Sequence, residues 1–398
     1  MTEKPLQDER QNKRLVWIYG VTVALYWMSL YFYVPTLPTY TASKTSDLAR
    51  VGMVLSMYGL WQAIIRLPLG IVSDWIGRRK PFILAGFVLS ATAALVMGTS
   101  GTINGMLIGR AISGLAAGTW VPLVVVFNRL FKPHETVRAT ALLTLFGSVG
   151  RLFATGSTGW LNNNGGYSLP FFLAAGSAGL AFVLVLTARE EPRPPKAPSL
   201  RALAGLFTRR DVMLPTILAT VSQYATWAAI FGFLPILAEE LGATDYTQSI
   251  MVSANVAIVI VGNLMATSLL VRRLGQKRTI HITFIMLAVG VATSALSRSL
   301  VWLLVFQLLI GLSQGISAPV LMGMSIQRVD ESQRTSAMGL HQSIYAFGMF
   351  FGPAISGWLA EEMGIRPMLV ATAVVAMLVG VVLTTLLRNP AEEPVQQP

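Results

Sequence analysis

Cysteine is absent from all 398 residues, which excludes disulfides, thiolate catalysis and cysteine-held metals at once. Charge is scarce as well: 12% of the residues are charged against 54% hydrophobic, with a mean hydropathy of +0.61, a balance too apolar for a soluble domain of this length. No GxxxxGK[ST] phosphate loop occurs, which argues against direct drive by ATP. The nucleophile, metal cluster or acid–base pair of a membrane enzyme is not visible, nor is the signalling domain of a receptor. The chain is read as a non-enzyme that requires no cofactor and no metal.

What the sequence has in abundance is long apolar runs. A bilayer core of roughly 30 Å takes about 20 apolar residues per spanning helix. Twelve runs of that kind can be counted, at 15–37, 51–74, 81–99, 104–127, 138–160, 167–188, 213–238, 247–271, 279–297, 300–324, 335–359 and 366–387. The expected class is an all-α integral membrane protein with twelve transmembrane helices. The polar stretch before the first run is followed by too long an apolar segment for a signal core and lacks a small-residue cleavage site, so the first span is expected to be retained.

A net charge of +12 invites a nucleic-acid reading, but the positions of the 30 Lys and Arg residues follow membrane topology instead. With the N-terminus inside, 23 fall on the cytoplasmic side, including Lys13, Arg14, Arg78, Arg79, Lys80, Arg209, Arg210, Arg272, Arg273, Lys277 and Arg278. Only Lys44, Arg50, Arg298 and Arg366 fall outside, and three lie within spans. Basic flanks resist translocation, so both termini are expected in the cytoplasm, with the chain in the cytoplasmic membrane and no nucleic-acid partner.

Gly70 to Lys80 read GIVSDWIGRRK between two apolar runs, and 198 positions later Ser268 to Arg278 read SLLVRRLGQKR in the same setting. The echo continues: Gly114 to Gly118, GLAAG, matches Gly311 to Gly315, GLSQG, and Phe153 to Trp160, FATGSTGW, matches Phe351 to Trp358, FGPAISGW. An internal duplication of six spans follows, with residues 1–188 and 212–398 as the two bundles, related by a pseudo-two-fold axis, and a solute path where they meet. Between them lies a hydrophilic linker, 189–211, with four prolines from Ala188 onward. Its tail, Leu200 to Phe207, has the spacing of a short amphipathic helix on the inner leaflet, the alternative being a flexible tether.

GIVSDWIGRRK resembles the signature of the major facilitator superfamily, in which a glycine, an aspartate, a second glycine and basic residues fill the turn between the second and third spans. The second copy keeps Gly275 and the basic cluster but has Arg272 where Asp74 stands. The resemblance covers nearly the whole chain and is greatest to the twelve-helix drug and metabolite exporters. It implies a gating role for Gly70, Asp74, Gly77 and Arg78, with Asp74 helping to hold the outward-facing arrangement. It also implies a coupling role for Arg110, which matches the arginine of the fourth-span motif, RAISGLAAG here, associated with proton coupling in many exporters.

A charged side chain within the hydrocarbon layer costs roughly 2.5–3.5 kcal/mol even on lenient insertion scales. Three arginines bear that cost: Arg66, about 12 Å from the cytoplasmic end of the second span, with Arg110 on the fourth and Arg151 on the fifth. None of the 18 acids is expected at that depth. One reading is that a guanidinium faces an aqueous cavity and binds an anionic group bidentately; the other is that the arginines bond backbone carbonyls or neighbouring amides and hold the bundle together. Arg66 and Arg151 have no role implied by the resemblance, which makes them the candidates for solute contact.

Tyr58, Gln62 and Arg66 recur every four residues and form one polar stripe. The opposing half offers Gln223, Trp227, Asn255, Gln307, Gln314, Gln342 and Tyr345 as further solute contacts, amides that donate and accept beside aromatic faces. His341 is the chemically suitable proton carrier beside Arg110, while Asp74, Glu239, Glu240, Glu361 and Glu362 are less convincing. Antiporters of the superfamily tend to carry Gly-Pro late in the fifth span, where this chain has Ala154-Thr155; Gly352-Pro353 lies in the eleventh. The resulting expectation is a monomeric, proton-linked secondary transporter of a small organic anion or amphipathic metabolite or drug, working by alternating access with export favoured. Alternatives are a nutrient uptake symporter and, from another class, a membrane sensor that no longer transports.

Overall fold

The computed structural model describes residues 3–132, 135–188, 190 and 200–387. Its regular elements are all helices: α1 (Glu3–Tyr31), α2 (Leu37–Ala42), α3 (Leu48–Ile76), α4 (Lys80–Thr99), α5 (Ile103–Gly118), α6 (Trp120–Asn128), α7 (Thr136–Gly165) and α8 (Ser168–Thr187) in the first half. After α9 (Leu200–Thr208), the second half comprises α10 (Arg210–Ala228), α11 (Leu234–Glu240), α12 (Asp245–Met265), α13 (Val271–Leu296), α14 (Leu300–Ile326), α15 (Glu331–Met363) and α16 (Ile365–Thr385). Among the described residues eleven helical segments are long and apolar enough to cross a membrane. The first span makes the twelfth; its apolar part begins only at Leu15 and is carried past Tyr31 by a turn into α2.

The duplication is visible in the backbone. Gly77 and Gly275 both take positive φ, 71° and 76°, and so do Gly166 and Gly364, 69° and 87°; each pair is separated by 198 positions. A Cβ would strain each of these positive-φ positions; Gly166 and Gly364 share one conformation, with ψ of 174° and 161°, whereas Gly77 and Gly275 leave their turns differently, with ψ of 9° and 164°. The first span of each half is also irregular at matching residues. Helix α1 ends at Tyr31, and 198 positions on the helix after α10 widens into a π-helical turn, Ala229–Phe233.

Within each half the helices pack through small residues and apolar side chains, while large apolar residues such as Leu145, Phe153, Leu180, Leu264, Leu296 and Leu378 stay exposed on the outside, as a lipid-facing surface requires. Helix α9 buries Leu206 against Val212, Val329, Ala337 and Leu340 and leaves Phe207 half exposed, so the amphipathic spacing of this segment does form a helix.

Candidate functional site

Between the two halves lies a cavity of about 170 Å³. Helix α3 contributes Tyr58, Gln62 and Arg66, one residue per turn from a single face, and α7 contributes Arg151. The second half brings Gln223 and Trp227 from α10, Asn255 from α12, Gln314 from α14 and Tyr345 from α15. Nine of the side chains expected from the sequence to contact solute therefore converge on one space. Among the described residues that line it none is Asp or Glu.

The three intramembrane arginines lie against aromatic faces. Arg66 is 5.7 Å from the centre of the Tyr345 ring, Arg110 is 4.2 Å from that of Tyr58, and Arg151 is 4.6 Å from that of Trp27. A ring quadrupole attracts a cation with roughly 0.5–2 kcal/mol depending on desolvation, which offsets part of the cost of burying a guanidinium without a carboxylate. Arg66 also donates from Nη1 to the Tyr345 hydroxyl at 3.0 Å. The compensation is incomplete: Arg66 Nε, Arg110 Nε and Nη1, and both amide atoms of the fully buried Gln62 have no hydrogen-bond partner. Of these, Arg66 Nε and the Gln62 amide belong to residues that line the cavity, where leaving them unpaired costs free energy that a bound polar group would recover.

Aromatic side chains form the apolar walls. Tyr58 stacks on Trp227 across the two halves, with ring centres 5.4 Å apart and planes within 17° of parallel. Phe231 packs beside Trp227 at 4.8 Å, carried there by the π-helical turn, and Trp27 and Tyr31 lie one helical turn apart on α1.

One turn beyond the cavity, toward the end opposite the basic motif, the halves are sealed. Three rungs join α7 to α12: Thr155 and Ser253 share a hydrogen bond of 2.8 Å, Gly159 N donates to Ser249 Oγ at 2.6 Å, and Asn162 Nδ2 donates to Asp245 Oδ2 at 2.9 Å. Tyr167 adds a hydroxyl donated to Asp245 Oδ1 at 3.1 Å. Burial first, and then the Asp245 carboxylate, holds this phenol above its ordinary pKa, so it remains a donor. The second joint pairs α3 with α15, where Leu48 N donates to Glu361 Oε2 at 2.6 Å.

Both joints turn on the glycine of the repeated GW. A Cβ on Gly357 would sit 2.8 Å from Gly52 Cα, and one on Gly159 would sit 2.6 Å from Tyr246 N. Their neighbours Trp160 and Trp358 point outward, 60% and 58% exposed. The repeated FATGSTGW and FGPAISGW are thus two crossings of the same design, small residue inward and indole outward.

At the basic end Asp74 pairs with Arg79, the buried arginine of the motif, and Arg78 points outward. The left-handed Gly77 turns the chain so that Arg79, at i+5, is the arginine that reaches Asp74. Ser73 Oγ donates to Gly70 O at 2.9 Å in the turn before. Glu190 accepts from Arg79 N at 2.6 Å and from Lys80 N at 3.0 Å, holding the start of α4.

Four expected residues lie off the cavity lining. The Gln307 side chain donates to Met251 O at 2.8 Å and its backbone carbonyl accepts from Asn255 Nδ2 at 3.2 Å, so it ties α14 to α12. His341 is buried with Nδ1 at 3.0 Å from Thr216 Oγ1, between α15 and α10. Gln342 and Arg110 also fall outside the lining, although Arg110 lies behind Tyr58. Aromatic lining residues not among those expected from the sequence are Trp27, Tyr31 and Phe231, the last two each four positions after a tryptophan, and at the seal Asp245 is a further such residue, whose place at the start of a span conceals its partners in the other half.

Two six-helix bundles enclosing a polar, aromatic-walled space across a membrane define a solute transporter. The family model of the Major Facilitator Superfamily matches this chain twice, over residues 19–218 and 216–398, and the chain belongs to that superfamily. Multidrug resistance protein 1 of Bacillus subtilis is 22% identical over 367 residues, spanning 90% of this chain and 92% of that protein. The inner membrane transport protein YajR of Escherichia coli is 30% identical over 144 residues, a match limited to 36% of this chain and 31% of that protein. In fold the chain resembles the crystal structure of the human organic anion transporter MFSD10 with a TM-score of 0.69 at 16% identity, over 94% of this chain and 99% of that one.

Proposed function

We propose that the protein is a monomeric, proton-linked secondary transporter that carries a small organic anion, or an amphipathic metabolite or drug with an anionic group, across the cytoplasmic membrane by alternating access. The observation that supports the substrate class is the lining: two guanidiniums, Arg66 and Arg151, and no carboxylate among the described residues. A planar five-donor fork suits a carboxylate, sulfonate or phosphate. The amides of Gln62, Gln223, Asn255 and Gln314 suit a neutral polar portion, and the Tyr58–Trp227 stack with Phe231 and Trp27 suits an apolar one.

Residues 1–188 and 212–398 act as the two moving bodies, with both termini and the basic loops in the cytoplasm. In that orientation the sealed end faces outward, and the cavity in this conformer belongs to the cytoplasmic side. The likeness to multidrug resistance protein 1 favours export.

Counterflow in proteoliposomes tests this reading. Organic anions are expected to be accumulated under an imposed pH gradient, and matched cations are not. Saturable anion binding without flux would make the protein a sensor, and preferential movement of cations would remove the anionic reading.

A further inference from the structure

A second cavity, of about 250 Å³, lies wholly in the C-terminal half at its basic end, between α10, α13, α14 and the close of α16. It shares no residue with the central space. Its lining combines the polar Arg210, Gln276 and Arg328 with the apolar Leu214, Met324 and Leu386. Its one acid, Asp211, is already engaged by Arg209, whose Nη2 donates at 2.7 Å and Nε at 3.2 Å.

The pseudo-symmetry shows what the N-terminal half places at this level. There the backbone amides of Arg79 and Lys80, just after the left-handed Gly77, are held by the carboxylate of Glu190. The residues 198 positions on are Lys277 and Arg278, just after the positive-φ Gly275, and where Glu190 stands the sequence has Arg388. Arg388 lies outside the described residues, but its charge is opposite to that of Glu190. One half therefore supplies its own anion, and the other has a cation at that position in sequence and a cavity edged by arginines.

We propose that this cavity binds a phosphate-bearing amphiphile, specifically the headgroup of an anionic phospholipid. The phosphate would meet the guanidiniums of Arg210 and Arg328, which stand at the edge of the cavity. Leu214, Met324 and Leu386 would meet the first part of an acyl chain, near the ends of the spans. A free anion would use only the polar residues, and a zwitterionic lipid, although it carries the same phosphate, would bring its choline cation against the arginines.

Native mass spectrometry of the delipidated full chain tests the site, with phosphatidylglycerol, phosphatidylcholine and inorganic phosphate as probes. One phosphatidylglycerol is expected to be retained in preference to phosphatidylcholine, with roughly tenfold weaker retention in Arg210→Gln, the loss expected for a charge-assisted bond. Gln276→Glu, which supplies the missing carboxylate from the protein, should weaken it similarly. Arg78→Gln, an exposed basic residue at the same end of the other half, should leave it unchanged. Equal retention in wild type, Arg210→Gln and Gln276→Glu would overturn the proposal. Full displacement of the lipid by millimolar inorganic phosphate would also overturn it and assign the cavity to a soluble anion.

Discussion

Arg66 on α3 donates to the Tyr345 hydroxyl on α15 at 3.0 Å, so a guanidinium of one half is steadied by a phenol of the other inside the cavity. The contact leaves Nε without a partner and orients the planar fork rather than neutralising it. A solute that binds Arg66 thereby also touches the relation between the halves, and this links binding to the access equilibrium.

Replacing Arg66 or Arg151 with Gln is expected to raise the dissociation constant of an anionic solute roughly 10- to 150-fold, the equivalent of about 1.5–3 kcal/mol for a desolvated charge-assisted bond. Lys should restore only part of the loss, since it keeps the charge and lacks the fork. Isothermal titration of folded variants that bind as tightly as wild type would assign both arginines to structure.

Gly159→Leu should weaken the seal, because any side chain there collides with the backbone of Asp245 and Tyr246. The expected outcome is a shift toward the conformer open at that end. A single cysteine placed at Ser253 in this otherwise cysteine-free chain reports the shift: thiol reagent added from the sealed side should label it several-fold faster in the Leu variant.

Asp74→Asn removes the carboxylate that Arg79 meets at the foot of α3. The pair is partly exposed, so the stability lost should be about 1 kcal/mol, while transport is expected to fall at least tenfold through a displaced gate equilibrium. Thermal melting and flux measured on the same preparation separate the two effects, and wild-type flux would show that the pair serves only local structure.

Coupling should depend on Arg110 and not on His341. Arg110 lies against Tyr58, a cavity residue, with two nitrogens unpartnered, whereas the imidazole is buried against Thr216 away from the lining. Arg110→Lys is expected to abolish the response of flux to an imposed pH gradient, and His341→Gln to preserve it. The opposite pattern would return the proton to the histidine.

Much of this arrangement is legible in the chain itself. Spans, duplication and the Tyr58–Gln62–Arg66 stripe are local or periodic features, and the positions of Arg66 and Arg151 announce themselves by their cost. What is not legible depends on pairs distant in sequence. Gln307 looks like a cavity amide until Met251 is seen to accept its donor, and His341 looks like a proton carrier until Thr216 is placed beside it. Asp245 reads as an ordinary helix-start acid because Asn162 and Tyr167 are some eighty residues away. That Arg79 is the arginine that meets Asp74 is hidden for a different reason, since it depends on the direction in which Gly77 turns the chain.

The outward indoles of Trp160 and Trp358 occupy matching positions on α7 and α15, so the pseudo-two-fold sets them at one depth on opposite flanks of the molecule. Indoles favour the narrow zone between headgroup and hydrocarbon. Sliding one half along the membrane normal would drag its indole out of that zone while the other stayed put, whereas tilting the halves about a line near the sealed end moves neither far. At that depth the tryptophans would act as a pair of floats on one waterline, making rotation the inexpensive motion and vertical shear the costly one.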